Sequence, residues 1–284
     1  MTEAALPSHG LHAGIDEVAY HADSRSLSSS SAKNLLHLGP EAFHAARQEP
    51  ATYNDAFDFG SVVHALVLGV GEYQVLFFDN YRTKKSREAR DEAREAGVAP
   101  ILMPKFVEAQ AIRDAVFADP ASAELLSEGE PEVSMWVEDP ATGVLMRGRI
   151  DWLRPDLIVD LKTSNSPVDH IGFLKTVWAY HYDFQGAYYR KMMRLLGEER
   201  GIAWVAAGKK EPFAAGAFGP DVDMMARAER DVDRALALYA HCSSTGEWPS
   251  LEQAYEIPGV GRPGLLDDAP YVESVTPFAF DNPR

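Results

Sequence analysis

The middle of this chain constrains its fold more than any other part. Residues 132–138 (EVSMWVE) alternate between polar and apolar side chains, residues 139–143 (DPATG) have the composition of a turn, and residues 144–153 (VLMRGRIDWL) again look extended. Alternation with a period of two predicts strands, so this stretch predicts a β-hairpin. The apolar run that follows, at 157–163 (LIVDLKT), predicts a strand buried on both faces.

Patterns typical of helices lie on both sides of these strands. A serine-rich stretch predicts a helix that ends before Gly39-Pro40, and residues 57–68 (FDFGSVVHALVL) predict a buried helix in which Gly60 allows a neighbour to approach closely. This order of elements predicts an α/β fold with a mixed central sheet flanked by helices and a helical N-terminal elaboration. The other predicted elements are helices at 104–118, 169–179, 182–196 and about 221–243, and strands at 202–208 and 212–218.

The chain is expected to contain one main domain. Residues 1–27 are rich in small and polar types and predict a loosely ordered lead-in, residues 28–250 a single domain, and residues 251–284 a C-terminal tail. Residues 82–97 (RTKKSREARDEAREAG) are almost wholly charged or small. They predict a solvated helix, and the alternative is a mobile basic segment beside a substrate.

Composition excludes several classes of protein. The single cysteine, Cys242, excludes an intramolecular disulfide and a cysteine-ligated zinc or iron–sulfur site, and it favours a reducing, cytoplasmic setting. No apolar run approaches the roughly 20 residues that span a bilayer, so no membrane partner is expected. The net charge of −16 disfavours a broad nucleic-acid surface, because phosphate contacts need Lys and Arg. A carboxylate-rich metal site would contribute to that acidity, and basic residues can be confined to one channel.

One acid and one lysine interrupt the apolar third strand. Asp160 and Lys162 lie two residues apart, so their side chains point to one face, while Val159 and Leu161 point to the other. Asp151 ends the preceding strand and is expected to meet Asp160 across the sheet. Two convergent carboxylates suit Mg²⁺, for which Mn²⁺ can substitute. Taken alone, the pattern also fits a structural ion pair.

Four motifs in a fixed order extend this pattern: Gly60-Ser-Val-Val-His64, Gly148-Arg-Ile-Asp151, Asp160-Leu-Lys162 and Gln185-Gly-Ala-Tyr-Tyr189. They resemble the G-x-x-x-H helix, G-x-I-D strand, D-x-K strand and Q-x-x-x-Y helix of the RecB-like branch of the PD-(D/E)-x-K nuclease superfamily. The stretches SSSSAKNLLHLGPEAF, FGSVVHALVL and YHYDFQGAYYRKMM are more similar still to the RecE-type phage exonucleases (the exodeoxyribonuclease VIII group). The resemblance covers about residues 28–196. Ile150 stands where the superfamily has its nominal proline.

The resemblance implies a restriction-endonuclease-like core and a role for each matching residue. Glu132 would bind a second metal or position a water, although a solvent-facing acid on a strand fits equally well. His64 also fits a core histidine, and Gln185 and Tyr189 also fit helix packing. The implied metal ligands are His64, Asp151, Asp160 and the Leu161 carbonyl; the implied catalytic residues are Asp151, Asp160, Lys162 and Glu132; the implied substrate contacts are Gln185, Tyr189, Arg149 and Thr163.

The function implied by the resemblance is a Mg²⁺-dependent exonuclease that digests one strand of duplex DNA from its 5′ end. The 3′ single-stranded tail would pass to a single-strand annealing protein, and the enzyme would form a homo-oligomeric ring. Arg147, Arg149 and Lys175 are candidates for lining the channel of such a ring. Tyr180 and Tyr182 are candidates for stacking on unpaired bases. The alternatives are an endonuclease, an enzyme that trims DNA ends, or a non-catalytic DNA- or protein-binding module on the same fold.

Overall fold

A mixed eight-stranded sheet forms the centre of the protein in the computed structural model, which describes residues 7–48, 55–262 and 275–278. In chain order the strands are β1 (Gly10–His12), β2 (Leu27–Ser28), β3 (Tyr73–Leu76), β4 (Ala99–Leu102), β5 (Glu130–Glu138), β6 (Leu145–Leu153), β7 (Leu157–Ser164), β8 (Gly201–Gly208), β9 (Ala215–Pro220) and β10 (Val275–Pro277). The central sheet runs in the order β1-β5-β6-β7-β8-β9-β10, with β2 beside β6. Strands β3 and β4 form a separate parallel pair.

Helices cover both faces of this sheet. They are α1 (Glu17–Ala22), α2 (Ser29–Leu38), α3 (Pro40–Ala46), α4 (Asp55–Leu68), α5 (Lys84–Glu95), α6 (Met103–Ala118), α7 (Pro120–Leu125), α8 (His170–Tyr180), α9 (Tyr182–Leu195), α10 (Val222–Thr245) and α11 (Leu251–Ala254). Apolar residues of α2, α9 and α10 pack on one face, and those of α4 and α6 pack on the other. The predicted fold class is therefore confirmed. Among the described residues, no helix is both long and apolar enough to cross a bilayer.

Strand β6 has an interrupted edge, and this interruption locates the site described below. β2 pairs with β6 at Met146 and Arg147, whereas β7 pairs with it only at Trp152 and Leu153. β7 also runs parallel to β8 and antiparallel to β6, which makes the sheet mixed. Between the two partners, residues 148–151 of β6 leave a gap in the ladder. Main-chain groups at such a gap must find side-chain or ligand partners.

The described part of the predicted loose lead-in, residues 7–27, contains β1, α1 and the start of β2, which differs from that prediction. β1 pairs with β5, and two arginines of β6 hold α1 against the sheet. The guanidinium carbons of Arg149 and Arg147 lie 4.3 Å and 5.3 Å from the ring centre of Tyr20, and Arg147 also donates to the Asp23 carbonyl. We call Tyr20, Arg147 and Arg149 the arginine latch. A chain of small and polar residues is ordered here because buried cations of the core recruit its carbonyl groups.

Part of the predicted C-terminal tail also belongs to the fold. α11 contacts α2 and α3, and β10 extends the sheet by pairing with β9. The predicted lead-in and tail residues 1–6, 263–274 and 279–284 lie outside the described residues.

The charged segment at 82–97 forms α5, in agreement with a solvated helix. Its N-cap is Thr83, and Arg94 near its C-terminal end pairs with Asp55 and Asp58 of α4 at 2.8 Å and 2.5 Å. The expectation for Gly60 is wrong, because a Cβ atom at that position would meet nothing within 4 Å. Gly60 therefore does not mediate a close approach.

Candidate active site

The two acids of the D…D-x-K pattern lie where the β6–β7 ladder stops. The ladder pairs Trp152 with Val159 and ends before Asp151 and Asp160 would face each other. The backbone N–H of Leu161 donates instead to Asp151 Oδ2 at 2.8 Å. The alternation of β6 also breaks at this point, because Ile150 and Trp152 pack on opposite faces of the sheet. At this irregularity the Asp151 carboxylate of β6 and the main chain of Leu161 on β7 face each other.

His64 reaches this point from α4. Its Nδ1 atom lies 3.7 Å from Asp151 Oδ2. Burial and the charge of Lys162 lower the pKa of His64, while Asp160 and a hydrogen bond to the backbone of Leu161 oppose that shift. Of the two backbone groups, only a carbonyl accepts a hydrogen bond from the imidazole and raises its pKa, so this backbone partner is the Leu161 carbonyl. The main chain of Leu161 therefore contacts both Asp151 and His64.

Lys162 and Asp160 are held by the glutamine of the Q-x-x-x-Y helix. Lys162 Nζ lies 2.5 Å from Asp160 Oδ2 and donates to Gln185 Oε1 at 2.9 Å. The Gln185 amide nitrogen donates to Asp160 Oδ1 at 3.2 Å and to the Tyr189 hydroxyl at 3.1 Å. Asp160 Oδ2 is enclosed, and its contact with the Lys162 ammonium is an ion pair. Gln185 thus fixes the acid and the lysine together.

The glycine of the G-x-I-D motif has a steric reason. A Cβ atom on Gly148 would lie 2.8 Å from Cε1 of Tyr189 and 3.0 Å from Cε of Met135. Backbone or ring atoms at such distances must shift. Gly148 therefore allows the Tyr189 ring of α9 to pack closely against β6, which places Gln185, one helical turn earlier, beside Asp160.

Glu132 lies opposite Asp151 in the register of β5 and β6, in a strained backbone conformation. Its φ is +53°, and the pairing on either side joins Pro131 to Trp152 and Val133 to Ile150. Its Oε2 is 3.3 Å from Arg149, and burial followed by the charge of Asp151 raises its pKa. Left-handed non-glycine residues of this kind cost free energy and concentrate at functional sites.

Burial dominates the electrostatics of the site. It raises the pKa of Asp160 to about 6, with Lys162 opposing the shift and Asp151 adding to it. Burial also raises the pKa of Asp151, against the effects of Lys162 and the Leu161 N–H. For Lys162, burial lowers the pKa, but Asp160 and Asp151 outweigh it and the net shift is upward. Two buried acids therefore share one ammonium, which leaves negative charge to be balanced.

The donor set suits a hard divalent cation, although its atoms are not gathered into a coordination shell. Within the described ranges, no three His, Cys, Asp or Glu side chains are arranged to hold a metal ion. The reason is that Asp160 pairs with Lys162, while Asp151 and His64 face each other. Two ligands about 2.0–2.2 Å from one ion can lie 3.7 Å apart. Asp160 Oδ2, which faces the Lys162 ammonium, is a buried carboxylate oxygen of the kind that a divalent cation binds.

Three sequence expectations about basic or substrate-contacting residues need correction. Arg149, predicted to contact substrate, donates to Ser134 Oγ and the Ile15 carbonyl as part of the arginine latch. Arg147 is buried in the same latch, so neither arginine is placed to line a channel, whereas Lys175 is exposed. Thr163 follows Lys162 on β7 and therefore faces the other side of the sheet.

The sequence reasoning missed Lys33 of α2. Its ammonium donates to the carbonyl of Tyr180 at 3.0 Å, and burial and then the charge of Lys162 lower its pKa. Nothing in the sequence separates this lysine from other surface lysines, because its position depends on how α2 packs against the start of α9.

This combination of a mixed sheet, two strand-end acids, a strand lysine and a bridging glutamine defines a PD-(D/E)-x-K-type domain. The chain belongs to the family described as a PDDEXK-like domain of unknown function (DUF3799), whose model matches residues 28–256. No curated protein matches the sequence. The fold is similar to the crystal structure of a candidate exonuclease from Eubacterium rectale, with a TM-score of 0.60 and 19% identity over 84% of this chain and 89% of that chain.

Proposed function

We propose that this protein is a metal-dependent nuclease that hydrolyses phosphodiester bonds of DNA. The observation that carries the proposal is the convergence of Asp151, Asp160, His64 and the Leu161 carbonyl beside Lys162, at the end of a broken ladder. Membership of a PDDEXK-like family supports the same reaction class. Buried acids that share one ammonium are costly to keep in a fold without a use.

A divalent cation bound by His64, Asp151, Asp160 and the Leu161 carbonyl would supply an activated water and polarise the scissile phosphate. The residues of the chain do the rest. Lys162, held by Gln185, is placed to orient the attacking water or to stabilise charge that builds on the phosphate oxygens. Glu132 faces the same acids from β5 and is placed to hold a second water or ion.

The finer proposal is a RecE-type exonuclease. It would digest duplex DNA from the 5′ end, leave a 3′ tail for a single-strand annealing protein, and work as a homo-oligomeric ring with Mg²⁺ or Mn²⁺. The four motifs and the similarity to an Eubacterium rectale candidate exonuclease support this proposal. Lys175 remains available as a channel residue, since it is exposed.

The first experiment compares Asp160→Asn with Asp156→Asn, an exposed acid four residues earlier on the same chain segment. With Mg²⁺ and end-labelled linear duplex, the wild type and Asp156→Asn should release nucleotides, and Asp160→Asn should be at least about 10²-fold slower. Divalent cation should raise the melting temperature of the wild type but not of Asp160→Asn. Equal activity of the two variants would remove the mechanism.

The substrate and polarity need separate measurements. An exonuclease degrades linear duplex and spares closed circular duplex, whereas an endonuclease cuts both. Labels at the 5′ or 3′ end, followed over time, report the direction of digestion, and light scattering of the purified chain reports the oligomer. If the protein binds DNA but does not cleave it in the presence of any divalent cation tested, the non-catalytic module is favoured.

A further inference from the structure

The connection between α8 and α9 places two tyrosine rings beside the catalytic lysine. Tyr180 ends α8, Tyr182 begins α9, and His181 between them has a left-handed backbone with φ 53° and ψ 51°. In a continuous helix, residues two apart point about 200° away from each other. The left-handed residue instead brings the two rings to 5.7 Å between centres with an interplanar angle of 16°.

Contacts from α2 hold this strained connection. The ring of His181 stacks on His37 at 3.8 Å, and Lys33 donates to the carbonyl of Tyr180. A left-handed non-glycine residue persists only where its surroundings fix it. The fold therefore maintains a pair of stacked tyrosines at a cost, although Tyr180 is 55% exposed and adds little to the core.

The paired rings are continuous with the active site, and the ammonium of Lys162 lies over one face of the Tyr182 ring. Lys162 Nζ lies 4.6 Å from the ring centre of Tyr182, which stacks on Tyr180. Lys33 Nζ lies 3.0 Å from the Tyr180 carbonyl oxygen, so both ammonium groups border the tyrosine pair, and burial and then the charge of Lys162 lower the pKa of Lys33. An anion between the two ammonium groups would relieve their repulsion.

Resting on the proposed nuclease function, we propose that the exposed ring of Tyr180, backed by Tyr182, forms a stacking platform for an unpaired DNA base next to the scissile phosphate, with Lys33 binding an adjoining phosphate. We call these three residues the tyrosine platform. An open aromatic ring accepts any base through the flat face of the base, and a neighbouring lysine binds the phosphate backbone. Bases inside a duplex are not available for such stacking, so the occupant is a frayed or single-stranded segment.

Binding of a fluorescent oligothymidylate of about ten nucleotides to the full chain, in EDTA, tests the platform without cleavage. Tyr180→Ala should weaken binding roughly 5- to 150-fold, and Tyr180→Trp should retain it. The matched control is Phe77→Ala, which removes an aromatic side chain that is 81% exposed and distant in sequence from the site. Thermal melting checks that each variant is folded.

The lysine is tested through the salt dependence of the same binding. Lys33→Gln should reduce the slope of log affinity against log salt by about 0.7, the value for one phosphate on single-stranded DNA. Lys84→Gln, on the exposed start of α5, should leave the slope unchanged.

The outcomes separate the platform from the nuclease. No oligonucleotide binding by the wild type, or Tyr180→Ala binding within twofold of Phe77→Ala, overturns the platform even if the enzyme cuts DNA. An unchanged salt slope in Lys33→Gln removes the phosphate contact. If the wild type binds the oligonucleotide but cuts nothing with any divalent cation, and Tyr180→Ala loses this binding, the platform stands and the nuclease proposal fails.

Discussion

Two buried cations on neighbouring strands, Arg149 of β6 and Lys162 of β7, differ in how they are satisfied. Each has a side chain that is 13% exposed, and each lies over a tyrosine ring, at 4.3 Å and 4.6 Å. Each of the three guanidinium nitrogens of Arg149 donates to a protein acceptor. Lys162 Nζ instead forms an ion pair with Asp160 Oδ2 and donates one hydrogen bond, to Gln185 Oε1.

The difference separates structural charge from reactive charge. Fixed acceptors on β5, including Glu132, and in the N-terminal segment saturate the latch arginine, so its charge is used in structural contacts. The lysine retains bonding capacity, faces two acids whose pKa values are raised, and lies near a second ammonium. Burial alone identifies neither role; the accounting of partners does.

The largest expected effect comes from removing each cation in turn. Lys162→Gln should slow DNA cleavage by about 10²- to 10³-fold, because one charge-stabilising donor is lost at the reacting phosphate. Asp160 can take up a proton, so the loss of stability should be modest. Arg149→Gln should have the opposite effects. Its free energy of unfolding should fall by about 3 kcal/mol, and its cleavage rate below the melting temperature should stay within about tenfold of wild type.

Activity assays and denaturant melts on both variants measure this contrast. Equal losses of activity would mean that Arg149 also acts on the substrate, as the sequence had suggested. Equal losses of stability would mean that Lys162 is as structural as the latch.

The sequence predicts the parts of the site that depend on local periodicity. Asp160 and Lys162 share a face because a strand alternates, and Asp151 lies near them because a hairpin strand precedes β7. The motif order also led to the right fold class. Helix bounds such as those of α6 and α10 follow from Pro104 and from the capping Asp221.

What the sequence could not predict depends on long-range packing. Arg149 has the same composition cue as a phosphate-binding residue, and only the docking of Ile15 and Tyr20 gives it a structural partner. The sequence did not predict the short elements of the lead-in for the same reason, because β1 spans three residues and depends on its pairing with β5. The left-handed backbone of Glu132 lies where the pairing of β5 with β6 skips Glu132 and Asp151, a feature that no propensity encodes.

Gly148 sharpens the comparison, because it lies on β6 between the two latch arginines but faces the catalytic helix. Gly148→Ala should push the Tyr189 ring away from Gln185, costing about 1–3 kcal/mol of stability and several-fold in cleavage rate. Gly60→Ala is the matched control. A methyl group there meets nothing, and it should stabilise α4 by up to about 1 kcal/mol.

Denaturant melts and cleavage rates on the two alanine variants provide the test. Unchanged activity in Gly148→Ala, with the expected loss of stability, would show that the Gln185–Tyr189 contact is packing alone. The position of Lys162 would then depend on its contact with Gln185 and not on the contact of Gln185 with Tyr189.

The smallest expected effect is a pH dependence of stability that arises from His37, which stacks on His181. Burial, then His181 and Lys33, lower the pKa of His37 to about 4. A histidine whose folded pKa lies below its unfolded value near 6.5 stabilises the fold above pH 6.5, and this contribution is lost as pH falls toward 4. His37→Phe keeps an aromatic ring against His181 but cannot take a proton. Relative to wild type, this variant should therefore melt a few degrees higher at pH 4.5 than at pH 7.5, after any constant offset is removed. Parallel melting curves across that range would mean that His37 takes up a proton at little cost beside Lys33, and that its ring is better solvated than its burial indicates.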